Sequence, residues 1–226
     1  MLRKNKKILN AAKYFILLFL FFGFSANSQK IKEEFKTVLE FKDTRSAGKN
    51  NELIKKLNSE NIDISILSAW ALSNITDTTL INVLGEALLS STGKINNDYK
   101  TILLPGMLAF ALGQYNSAEA NNYLIKAFDK VNSADKNSDK SLLIDLINNI
   151  SIAGGEEDFN HIMRGISNND KYNSVIAMAI ARFGIRKINN EDGLRKLSEL
   201  FKLSSDSALL KNISYAFFRS GNKKLL

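Results

Sequence analysis

Apolar residues recur along this chain at the three-to-four-residue spacing of a helix, and polar stretches interrupt them at intervals. Ile31, Phe35, Val38 and Leu39 mark a first amphipathic helix, broken by Asp43-Thr44-Arg45-Ser46-Ala47-Gly48, and Leu53, Ile54 and Leu57 mark a short second one. Leu67, Trp70, Ala71 and Asn74 then share a face, and Thr76-Asp77 is expected to N-cap a helix carrying Leu80, Leu84, Ala87 and Leu88. After a polar connection over 90–98 comes the clearest stripe, Leu104, Met107, Leu108, Ala111, Leu112 and Tyr115. Pro105 is expected in the first turn of that helix, where a missing N–H is tolerated. Leu124, Ala127, Phe128 and Val131 follow at i, i+3, i+4, i+7. Beyond a second polar linker, 132–140, the stripes are Leu143, Leu146, Ile147, Ile150 and then Phe159, Ile162, Met163, Ile166, with Gly154-Gly155 as the tight turn between them. Tyr172, Val175, Ile176, Ala179, Ile180, Phe183 pair with Leu194, Leu197, Leu200, Phe201, and Leu209, Ile213, Ala216, Phe217 mark the last helix. No strand alternation is sustained anywhere, so the pattern predicts an all-α chain.

Some of these helices repeat one another. Ala69-Trp70-Ala71-Leu72-Ser73-Asn74-Ile75 returns as Ala109-Phe110-Ala111-Leu112-Gly113-Gln114-Tyr115, more loosely as Ala177-Met178-Ala179-Ile180-Ala181-Arg182-Phe183-Gly184, and again as Ser214-Tyr215-Ala216-Phe217-Phe218-Arg219-Ser220-Gly221. Each copy lies toward the end of an apolar pattern, where small residues let two helices approach closely. The spacing is 40 residues from Ala71 to Ala111 and 37 from Ala179 to Ala216. Two helices per unit at that period predict a right-handed α-solenoid of antiparallel helix pairs. The Ala-x-Ala-Leu-Gly-Gln form of Ala109–Gln114 resembles bacterial HEAT-like repeats, and the resemblance runs from Ile62 to the end. The expected organisation is a leader over 1–28, capping helices over 29–61 and HEAT-like repeats over 62–226, the last unit lacking its second helix. Phe41-Lys42-Asp43-Thr44-Arg45, Gly48 and Leu53-Ile54-Lys55-Lys56-Leu57 also resemble the lead-in to the HEAT region of exported bacterial cyclophilin-type peptidyl-prolyl isomerases. That resemblance implies an accessory region of a foldase, but no cyclophilin-like pattern occurs up to Leu226, so isomerase activity is not expected of these residues.

The N-terminus changes the charge argument. Arg3, Lys4, Lys6, Lys7 and Lys13 precede an apolar run of 11 residues, Tyr14 to Phe24, and small residues at Ala26 and Ser28 follow. A bilayer-spanning helix needs ~20 apolar residues, so the layout predicts a secretory leader cleaved before Gln29. The whole chain holds 31 Lys+Arg against 23 Asp+Glu; without those five bases the balance is 26 against 23, or +3. Such a balance makes no electrostatic case for nucleic acid. With no cysteine the exported protein has no disulfide and no thiolate ligand, so packing alone must stabilise it.

Candidate chemistry is sparse. His161 is the only histidine, with Glu157 and Asp158 one turn before it. That spacing fits metal ligands, yet the acids follow Gly154-Gly155 at a predicted helix start, where the helix dipole favours them, and no second histidine or cysteine completes a site. We therefore expect no metal and no cofactor. Gly93-Lys94 lacks the earlier glycine and following Ser/Thr of a phosphate-binding loop, since Leu88 and Ile95 stand there. Three Asn-x-Ser/Thr triplets, at Asn74, Asn149 and Asn212, fall near helix ends and are not expected to be glycan acceptors. No Gly-x-Ser-x-Gly turn accompanies the lone histidine, so no catalytic residue is assigned. Trp70, Phe110, Tyr115, Phe128, Phe183 and Phe217 fall on apolar stripes and are expected in the core.

The expectation is an exported, non-enzymatic scaffold, periplasmic or on the outer surface, that binds another protein or peptide and meets a membrane only through a retained leader. The second helix of each pair lines the inner side of such a stack. Asn82 and Glu86, Asn122 and Lys126, Asn160 and Arg164, and Lys196 and Glu199 stand off the apolar stripes of those helices and form the candidate partner-binding ladder.

Overall fold

The computed structural model describes residues 28–48, 51–75, 77–95, 99–134, 141–166 and 170–220. Most of the leader, Thr76 and the terminal Gly221-Asn222-Lys223-Lys224 lie outside them. The described residues hold α-helices, a short 3₁₀ turn at Asp170–Tyr172 among the connections, and no strand. The helices are α1 (Ser28–Asp43), α2 (Glu52–Leu57), α3 (Ile62–Leu72), α4 (Leu80–Thr92), α5 (Tyr99–Tyr115), α6 (Ala118–Asn132), α7 (Leu142–Ala153), α8 (Glu156–Gly165), α9 (Asn173–Ile185), α10 (Asn190–Leu203) and α11 (Ser207–Arg219). The chain divides into two compact units, Met1–Thr37 and Val38–Leu226. The described part of the first is the beginning of α1. The second unit holds the rest of α1 and all later helices.

Its helices sort into two layers. The odd-numbered helices from α3 to α11 pack each on the next odd one, and α4 packs on α6. Sequence neighbours such as α4 and α5, or α6 and α7, join the layers. The composition of each layer follows from its surroundings. In α9, Val175, Ile176, Ala177, Ala179, Ile180, Ala181, Phe183 and Gly184 are all buried, as a helix flanked on both sides and behind requires. In α8 the buried residues are Phe159 and Ile162, the single stripe of a helix packed on one side.

Small residues set the spacing within the odd layer. A Cβ on Gly113 of α5 would stand 2.5 Å from the Asn149 amide oxygen of α7, and one on Gly184 of α9 would stand 3.0 Å from Ser220 Cβ. Two arginines of α9 reach back to the C-terminal end of α7. Arg182 donates to the Asn148 carbonyl (3.2 Å), its side-chain oxygen (2.9 Å) and Ser151 Oγ (2.9 Å), and Arg186 donates to the carbonyls of Gly154 (2.6 Å) and Ser151 (3.0 Å). Arg186 satisfies carbonyls at the helix end that lack an intrahelical partner, and both cations meet the negative end of the helix dipole. Between α1 and α2 the turn needs Gly48, whose φ of +77° and close cover by the Phe41 ring leave no room for a side chain.

Several sequence expectations change. α5 begins at Tyr99, so Pro105 lies inside the helix rather than in its first turn, at a buried position. Asp77 does not cap α4 directly; its carboxylate accepts from the Thr79 amide (2.9 Å) and hydroxyl (2.7 Å), forming the turn that leads into Leu80. Those two bonds hold Asp77 below its usual range, the hydroxyl first. Phe128 and Phe183 are fully buried as expected, but Phe110 is 43% exposed. Trp70, Tyr115 and Phe217 are half-buried. Trp70 lies under the Lys42 ammonium, 4.8 Å from the ring centroid. Phe201, expected on the stripe of α10, is 51% exposed.

Tyr115, at the end of α5, ties that helix to the chain just after α3. Its hydroxyl donates to the Ile75 carbonyl (3.1 Å), and desolvation, followed by the nearby Asp77 charge, pushes its pKa up to about 12. The folded chain therefore holds this proton more tightly than the unfolded chain, where tyrosine titrates near 10. The stabilisation is whole below pH 10 and is lost as pH rises toward 12. In thermal melts across that window, Tyr115→Phe is expected to flatten the loss of stability seen in the parent.

Candidate partner-binding groove

The even-numbered layer is closed at one end and open at the other. Between α4 and α6 the helices approach because Gly85 has no side chain: the Tyr123 ring of α6 occupies the space a Cβ would take. The Tyr123 hydroxyl meets Asn82 Oδ1 (3.0 Å) and Glu86 Oε1 (3.3 Å), and Lys126 lies 5.5 Å from its ring centroid. Desolvation and then the Glu86 charge raise the Tyr123 pKa. Asn82 and Glu86 thus seat a tyrosine, while Asn122 remains exposed beside it.

Farther along, the layer parts. α8 touches α6 over a short stretch and does not pack along α10. Between α8 and α10 lies a groove of about 750 Å³. Phe159 and Met163 supply its apolar lining, and Asn160, Arg164, Lys196 and Glu199 are among its polar walls. Four of the eight candidate residues therefore come together here, and the four on α4 and α6 do not. Phe159 is anchored edge-on to Phe183, with centroids 5.3 Å apart and planes at 89°. Gly193 lets α10 approach α9, since a Cβ there would stand 2.8 Å from Ile180 Cγ2.

Each end of α8 is fastened separately. At its start the Gly155 amide donates to Asp158 Oδ2 (2.7 Å), and Asn189 Nδ2 donates to Asn160 Oδ1 (3.3 Å). Toward its end His161 Nε2 meets Asp129 Oδ1 of α6 (2.5 Å), the His161 ring stands edge-on to Phe128, and Asn132 Nδ2 donates to the Gly165 carbonyl (2.9 Å). Hence His161 faces Asp129 across the helix junction instead of joining Glu157 and Asp158. Among the described residues no group of three His, Cys, Asp or Glu side chains is placed to hold a metal ion.

The polar groups of the groove are of both signs. Arg195 pairs with Asp192 (2.7 Å) and Lys196 with Glu199 (3.6 Å) along the exposed surface of α10. Exposed i, i+3 pairs of this kind contribute ~0–1 kcal/mol, so a ligand's charged groups displace them at small cost. Glu157 and Asp192 stand in the first turns of their helices, where the dipole favours acids, and Arg164 in the last turn of α8. The groove therefore offers donors and acceptors above an apolar floor, a surface able to hold a polypeptide segment. Sequence reasoning missed Tyr123 and Asp129. Gly85 in mid-helix was the one signal of a close approach there, and nothing in the sequence linked His161 to α6. Among the described residues the protein is all-helical, with its helices in two layers; no protein-family model, no curated protein and no solved structure matches the chain.

Proposed function

We propose that the chain is a HEAT-like helical-repeat scaffold, a right-handed α-solenoid of antiparallel helix pairs, that is exported through its leader and binds a protein or peptide without catalysing a reaction. The stacking of each odd helix on the next, with the even helices in a second layer, supports the solenoid. The observation that carries the binding role is the α8–α10 groove, which gathers Asn160, Arg164, Lys196 and Glu199 around Phe159 and Met163. Its partner is a polypeptide segment with charged side chains of both signs and at least one apolar side chain for the floor.

Charge reversal tests this. In the full chain, Arg164→Glu combined with Lys196→Glu is expected to weaken partner capture roughly tenfold or more, while Lys126→Glu on α6 leaves it within about twofold. All variants are expected to melt like the parent, because Arg164 and Lys126 are exposed and half-buried Lys196 is held only by a surface pair with Glu199. Undiminished capture by the doubly reversed variant would count against the groove.

A further inference from the structure

The residues after Ser220 read Gly221-Asn222-Lys223-Lys224-Leu225-Leu226. They leave α11 beside one end of the α8–α10 groove. The Ser220 carbonyl accepts from Nδ2 of Asn190, the first residue of α10 (3.4 Å). The adjacent Asn189 donates from its own Nδ2 to Asn160 Oδ1 (3.3 Å) and to the Glu156 carbonyl (3.5 Å). Two neighbouring asparagines thus bridge the end of α11 to Asn160 on the groove wall. Six extended residues reach about 20 Å, enough to pass the start of α10 and enter the groove.

The helix starts set the charge of that end. α8 opens with Glu156, Glu157 and Asp158, and α10 with Glu191 and Asp192. Asp158 is turned back on the Gly155 amide, while Glu157 is exposed and Asp192 is held only by the surface pair with Arg195. Both of these acids line the groove. Two turns farther along α8, half-buried Met163 lies at the floor with Phe159. A chain entering from this end meets acids first and an apolar floor next. Two lysines followed by two leucines match that order. The bases at the entrance are Arg186, engaged on the α7 carbonyls, and exposed Lys187. The opposite flank of α10 is the competing place. Ser198 stands there, two residues and about 200° of helical turn from Lys196, with Leu194, Phe201 and Lys202 on its side and Glu191 at its start. Lys202 sets that flank against the two lysines.

We infer that residues 223–226 of the same chain occupy the α8–α10 groove until a partner displaces them, the lysines at Glu157 and Asp192 and the leucines on Met163. The inference rests on the groove being the partner's site. A tethered segment faces the groove at roughly millimolar effective concentration, so contacts too weak to hold a free peptide suffice.

The chain has no cysteine, so a pair introduced into the full chain reports proximity alone. Met163→Cys with Leu225→Cys is expected to close to a disulfide in oxidised glutathione, at monomer mass. Ser198→Cys with Leu225→Cys should close more slowly, by roughly tenfold or more. Adding Lys223→Glu and Lys224→Glu to the first pair should slow it by roughly tenfold. The reduced variants are expected to melt like the parent. Equal or faster closure at Ser198→Cys overturns the inference. So does a bridge found only at dimer mass, or closure indifferent to the lysine reversal. With a photoreactive residue at Asn160, the oxidised Met163→Cys pair should lose its adduct and regain it on reduction. Failure to close while that adduct forms contradicts the inference alone. An adduct that persists in the closed chain contradicts the groove as the partner's site, and the displacement with it.

Discussion

Phe183→Ala is expected to destabilise the folded chain by about 3–5 kcal/mol, read as a drop in the midpoint of denaturant unfolding at unchanged slope. Phe183 of α9 is fully buried. Phe159 of α8 packs edge-on to it, and the Arg186 guanidinium stands 5.0 Å from its centroid. Truncation leaves a cavity beneath the groove floor and frees Arg186 from the position in which it reaches the carbonyls at the end of α7. Loss therefore extends beyond the transfer free energy of one ring. A cost below about 1 kcal/mol would mean that α8 and α9 are not packed as described.

Gly113→Leu is the second large effect, expected at about 3 kcal/mol or more. The position is buried between α5 and α7, and even a Cβ would stand 2.5 Å from Asn149 Oδ1 and 3.0 Å from Asn149 Cβ. Asn149 is itself buried, with its amide nitrogen donating to the Asp145 carbonyl (2.8 Å), so it has little room to withdraw. Gly155→Ala is the matched control: nothing stands within 4 Å of a Cβ there, and the expected change is under ~1 kcal/mol. Chemical denaturation of the pair separates loss of a close helix contact from the general cost of replacing glycine.

Much of the helix order was legible because apolar spacing is a local property. The stripe of Leu124, Ala127, Phe128 and Val131 is buried throughout, and Gly154-Gly155 does separate α7 from α8. The misplaced aromatics of the odd helices have a common cause. On an odd helix, neighbours hide most of the circumference, and Phe110, or a half-covered Trp70, stands on the part left open. Periodicity assigns such a residue to the core because only tertiary packing shows which side stays open. Pro105 was placed in the first turn because the apolar stripe begins at Leu104, whereas the helix had already started at Tyr99.

The candidate ladder was legible as residues off the apolar stripes, and no more than that. Asn82 and Glu86 look like open surface until Tyr123 crosses from the next even helix. Asn160, Arg164, Lys196 and Glu199 converge because α8 is fastened to α6 and to the α9–α10 turn without packing along α10. That gap depends on contacts that are absent between two distant segments, and no local pattern encodes it.

The central claim is that the partner lies in the α8–α10 groove. Its most direct measurement is photo-crosslinking in the producing cell, with a photoreactive residue placed singly at Asn160, Glu199 or Asn122 of the full chain. The account predicts one discrete adduct shared by the Asn160 and Glu199 positions and absent at Asn122. Equal adducts at all three positions, or an adduct at Asn122 alone, would contradict it.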